Sequence, residues 1–93
     1  MVVGLLAMEL FMPESASLKS KRSILHSLLQ KIRRDWNVSA AETEHHNAWQ
    51  RSLLSIASVN TSAGEVQHTL HEILKHAEDQ PSLRVLDYSI EIL

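Results

Sequence analysis

The chain has 93 residues, a net charge of -2 and no cysteine. That length fits one domain with a modest core, and the missing cysteines exclude disulfides, thiolate chemistry and any Cys-based zinc site. An acidic total excludes a molecule that is basic all over, but the charge is uneven. Residues 1–40 hold six Lys/Arg against three Asp/Glu, a balance of +3, and residues 41–93 hold three against eight, a balance of -5.

Residues 2–11 are continuously apolar and stop before Pro13, the pattern of a buried central strand. The opening "MVVGLLAMEL" is too short for a membrane span, lacks a basic start and reaches Glu9 early, so it reads as a strand and not as a signal peptide. Its inward set is Val2, Gly4, Leu6, Met8 and Leu10, and its other face carries Val3, Leu5, Ala7 and Phe11. Both faces are largely apolar, so the open side of the sheet is expected to be covered by a long loop, a homodimer partner or a heterologous partner. A polar link, residues 13–17, leads to a helix over 18–34 with Leu18, Leu25, Leu28, Leu29 and Ile32 on one face and Ser17 as N-cap.

Residues 37–44 alternate weakly and suit an edge strand, 45–50 read as a loop or strand end, and 51–60 as a further strand. Ser62 and Glu65 form a capping-box pattern ahead of a second helix whose buried stripe is Val66, Leu70, Ile73, Leu74 and Ala77, with Pro81 marking its end. The final segment, 83–93, alternates Leu86, Tyr88, Ile90 and Ile92 against Val85, Asp87, Ser89 and Glu91, a half-buried strand. The order βαββαβ predicts an α+β, ferredoxin-like sandwich over residues 1–93, with two helices on one face of a four-stranded antiparallel sheet.

The segments "SLKSKRSILHSL" at 17–28, "NVSAAE" at 37–42, "WQRSLLSIA" at 49–57 and "VLDYSIEIL" at 85–93 carry a family resemblance from end to end. Together they resemble the YlxP-like family, a bacterial domain-of-unknown-function family with a ferredoxin-like fold. The resemblance implies a cytoplasmic protein linked to RNA or the ribosome, with no defined activity. Family members tend to be encoded beside genes for transcription termination, translation initiation and ribosome maturation. The chain departs from the family at Ser20, where an acid is common, and at Ala48 and Ser55, where a larger apolar residue and a glycine are common. These departures touch local detail and leave the expected fold intact.

All six cations of residues 1–40 lie in the first predicted helix. Counted from Leu18 at about 100° per residue, Arg22, Arg33, His26 and Lys19 fall at roughly 40°, 60°, 80° and 100°, with Arg34 further round. They form one cationic flank, whereas Lys21 turns toward the buried side and is expected to snorkel or to pair with a carboxylate. Cations in a first helical turn oppose the macrodipole and cost stability. Together with helix-start amides they suit phosphate. Lys19, Arg22, His26, Arg33 and Arg34 are therefore expected to contact a phosphate backbone, and the family resemblance implies that it is that of ribosomal RNA or a ribosomal particle. The alternative is a solvated helix face, with a homodimer or partner surface at Val3, Leu5, Leu53 and Trp49.

Other clusters carry less. Glu42, Glu44, His45 and His46 are close in sequence, but adjacent histidines point opposite ways on a strand, so no metal is expected. Glu42 is expected to pair with Lys21 or Arg22, and Trp49 to cover the core at the sheet edge or anchor a partner. His68, His71 and Glu72 fall on the solvent face of the second helix, with His76 nearer its buried flank and in reach of Glu72. Only Tyr88 and Phe11 are aromatic residues on strands, so base stacking of the RNA-recognition type is not expected. P-loop, GxGxxG, GxSxG and HExxH patterns are absent. The link "MPESAS" lacks the glycines of an acylphosphatase cradle. A ligand-sensing module of this fold is usually fused to another domain. The expectation is a non-enzyme with no cofactor, no membrane segment and no small-molecule substrate.

Overall fold

A computed structural model describes all 93 residues. Its elements are β1 (Val2–Phe11), α1 (Leu18–Asp35), β2 (Val38–Glu44), β3 (Arg51–Asn60), α2 (Ala63–Glu78) and β4 (Arg84–Ile92). The strands form one antiparallel sheet in the order β2-β3-β1-β4, the ferredoxin-like topology. β1 is central because it is apolar on both faces. Its even-numbered residues Gly4, Leu6, Met8 and Leu10 are buried beneath the helices.

Leu25, Leu28 and Ile32 of α1 and Val66, Leu70, Ile73, Leu74 and Ala77 of α2 complete the core. α1 lies over β2, and α2 lies over β1, β3 and β4. Gly4 is the seat of α2: a Cβ there would run into Val66 Cγ1 and crowd Leu70 Cδ1. Only a glycine permits that approach.

Both helix starts are capped. Ser17 Oγ accepts the Ser20 N–H at 3.0 Å, and Ser62 Oγ accepts the Glu65 N–H at 3.3 Å. The reciprocal half of the second capping box is replaced, because the Ser62 N–H goes to Asn60 Oδ1 instead.

Three expectations are corrected. The alternation along β4 breaks at a register shift between Glu9 and Leu10 of β1, so Val85 pairs with Leu10 and packs on the core. Leu86 becomes the extra residue of a bulge and is 49% exposed. His76 does not pair with Glu72. Its ring lies 5.7 Å from that of Trp36, while Glu72 takes His68 on its own helix and the Trp36 indole N–H. Trp49 does not cover the core; it stands 57% exposed in the β2–β3 connection.

Candidate nucleic-acid interface

Adjacent residues of α1 have opposite fates. Lys21 is only 1% exposed, and its ammonium meets Glu42 Oε2 at 2.9 Å and the His45 carbonyl at 2.6 Å. Ser52 Oγ donates to the same Glu42 oxygen at 2.7 Å. Burial pushes the Glu42 carboxyl up, but the hydrogen bonds from Ser52 and Lys21 outweigh it and hold the group below its ordinary value. Lys21 thus ties α1 to β2 and to the loop after it. His45 turns that corner with φ of 66°, in the left-handed region that few non-glycine residues adopt.

Arg22, one residue further on, is exposed and makes no hydrogen bond or ion pair, and the same holds for Lys19 and His26. These three line one shallow groove with Ser23, Leu25, Leu29 and Glu42. Leu25 and Leu29 give the groove an apolar floor, and Glu42 has already spent its charge on Lys21. From Lys19 through Arg22 to His26 these side chains climb about 10 Å of helix. An extended polyanion lying along the helix would meet them in turn.

The other two predicted cations sit differently. Arg33 Nη2 donates to the Ala40 carbonyl at 2.6 Å, so its guanidinium is anchored at the β2 edge although the residue remains exposed. Arg34 Nε donates to Asp35 Oδ1 at 3.0 Å, and Lys31 pairs with the same carboxylate. Hydrogen bonds from Lys31 and Arg34 hold Asp35 below its ordinary value. Lys19 and Arg22, in the first half of α1, are the cations of the helix that no other group of the protein engages.

The residues of the alternative surface do not gather in one place. Val3 and Leu5 share the open sheet face with Ala57 and Val59, which are their β3 partners. Leu53 lies further along, paired with Glu9, whose carboxylate is taken by Arg51 at 2.9 Å and His45 at 3.1 Å. Trp49 is off that face, in a groove with Pro13 to Ala16. Sequence reasoning missed Leu25 and Leu29 as groove floor and His46, whose ring nitrogen lies 3.1 Å from the Glu42 carbonyl. The i, i+4 spacing of Leu25 and Leu29 beside Arg22 and His26 carried a signal for the floor. Nothing in the sequence pattern marked His46.

The molecule is a ferredoxin-like α+β domain with an unpaired basic flank on its first helix. Residues 3–90 match the family described as "Protein of unknown function (DUF503)", and the chain belongs to that family. It is similar to the uncharacterized protein YlxP of Bacillus subtilis strain 168, with 28% identity over 82 residues that cover 88% of this chain and 89% of the relative. The YlxP-like resemblance read from the sequence is thereby borne out. No helix is long and apolar enough to cross a membrane.

Proposed function

We propose that this protein contacts the phosphate backbone of ribosomal RNA, free or within a ribosomal particle, through Lys19, Arg22 and His26. Arg33 and Arg34 extend the same flank as secondary contacts. One observation carries the reading: Lys19 and Arg22, two cations in the first half of one helix on an acidic protein, line a common groove with His26, and none of the three has an internal partner. Backbone contact of this kind is salt-sensitive and reads no sequence, because base identity needs edge contacts or stacking. The ribosomal direction rests on what the family resemblance implies.

The test is co-sedimentation of the tagged protein with ribosomal particles from a lysate, at low and then moderate salt. Association that fades with salt, and that fails with Lys19→Glu/Arg22→Glu, is expected. Association equally strong in the charge-reversed protein overturns the reading.

A further inference from the structure

The two edges of the sheet are treated differently. Along β2, residues 38, 40 and 42 turn their backbone groups outward, since residues 39 and 41 face their β3 partners Ala57 and Ser55. Two of those outward carbonyls are capped: Ala40 by the Arg33 guanidinium and Glu42 by the His46 ring. Capping of this sort closes an edge to further strands. β4 has no such cover. The Leu93 N–H bonds the Val3 carbonyl at 2.8 Å, which fixes the phase: Ser89 and Glu91 face β1, while Tyr88, Ile90 and Ile92 point their N–H and C=O groups outward. No side chain donates to any of these carbonyls, and the single local bond is Tyr88 N–H to Asp87 Oδ1 at 2.8 Å. Tyr88 is 49% exposed and Leu93 67% exposed beside this bare edge.

We propose that β4 pairs antiparallel with β4 of a second copy, on a two-fold axis through Ile90. An edge that meets itself across a two-fold axis is always antiparallel and self-complementary. The side chains select the register. Centred on Ile90, the helix-side pairs are Ile90 with Ile90 and Tyr88 with Ile92, all apolar, and the open-side pairs are Ser89 with Glu91 and Asp87 with Leu93. Centred on Ser89, Asp87 would oppose Glu91; centred on Glu91, the two Glu91 carboxylates would oppose each other; like charges directly opposed are destabilising. Centring on Tyr88 runs the pairing through the bulge at Leu86. The Ile90 register avoids all three, and the outward groups of Tyr88, Ile90 and Ile92 all find partners in it. The two Glu91 side chains then lie diagonally, about 7–8 Å apart. The result is one continuous eight-stranded sheet with the α1–β2 grooves at its two far ends. This inference stands independently of the RNA reading.

Ser89 is exposed and outside the core, so it reports on the register without disturbing the fold. The experiment is sedimentation velocity of wild type, Ser89→Glu and Ser89→Lys from micromolar to high micromolar concentration at low salt, with amide exchange of Ile90 and Ile92 followed by NMR over the same range. A wild-type dimer is expected, weakened by Ser89→Glu and tightened by Ser89→Lys. With two symmetry-related pairs changed, each shift is on the order of 2- to 30-fold in dissociation constant. The Ile90 and Ile92 amides are expected to gain protection with concentration. A strictly monomeric wild type overturns the proposal. So does a dimer whose Kd moves the same way, or not at all, in the two variants, or one that leaves both amides unprotected; a face-to-face dimer through Val3 and Leu5 would leave them so.

Discussion

The two helices sit on the same side of one sheet and treat the charge of their amino ends in opposite ways. α2 has Glu65 in its first turn, so its amino end carries a side-chain charge that complements the helix dipole. α1 has no acid in its first turn; Lys19 and Lys21 stand there instead, with Arg22 just beyond. One of those cations is compensated, since Lys21 is buried against Glu42. Lys19 and Arg22 are not. The amino end of α2 is arranged for stability, whereas that of α1 carries a small electrostatic cost.

The largest test of this contrast sets neighbours against each other. Lys21→Met leaves the Glu42 carboxylate with only Ser52, and loss of one partner from a buried pair costs about 3 kcal/mol, the low end of the range because Glu42 keeps some water. Arg22→Met should stay within about 0.5 kcal/mol. Urea unfolding of both variants measures the difference, and equal effects would remove the distinction between the two cations.

Acid sharpens the same point. Glu42 titrates lower in the folded protein than its ordinary 4.5, so its contribution is present above that value and is lost as pH falls through the folded pKa. The stability gap between wild type and Glu42→Gln should therefore be constant near neutrality and close progressively below about pH 4.5. A gap that widens in acid would contradict the assigned pair.

Gly4→Ala examines the other helix. The added methyl meets Val66 and Leu70 of α2, and overpacking of this kind costs about 1–3 kcal/mol. Thermal unfolding should show a clear loss, because α2 is seated by contact and not by charge. The smallest effects test the dipole argument itself. Lys19→Glu should raise stability by about 0.3–1 kcal/mol, and Glu65→Lys should lower it by a similar amount. Both shifts should shrink in high salt.

Periodicity carried most of the fold. The stripe Val66, Leu70, Ile73, Leu74 and Ala77 is fully buried as read, and the inward set of β1 keeps its phase along Gly4, Leu6, Met8 and Leu10. It failed at β4, where one extra residue in the bulge moves Leu86 out and Val85 in, and a period of two has no means of announcing a bulge. The candidate site was legible in part. Helical angles separated Lys21 from Lys19, Arg22 and His26, and Glu42 was named as a partner for the buried side. The anchoring of Arg33 on Ala40 depends on how β2 passes beneath the end of α1. That is a tertiary relation, which spacing along one helix does not contain. The exposure of Trp49 has the same origin, since the connection carrying it is fixed through Lys21, His45 and Gln50 and not through an apolar pattern.

The most direct test of the central claim is the affinity of the purified protein for a ribosomal RNA fragment, measured by fluorescence anisotropy across a salt series. Two charged contacts, Lys19 and Arg22, predict a slope of log K against log salt of about -1.4 for single-stranded RNA. Lys19→Glu/Arg22→Glu should flatten it by more than half while the melting temperature holds or rises. A charge-reversed protein that binds with wild-type affinity and slope would show that the basic flank of α1 is not where the anion lies.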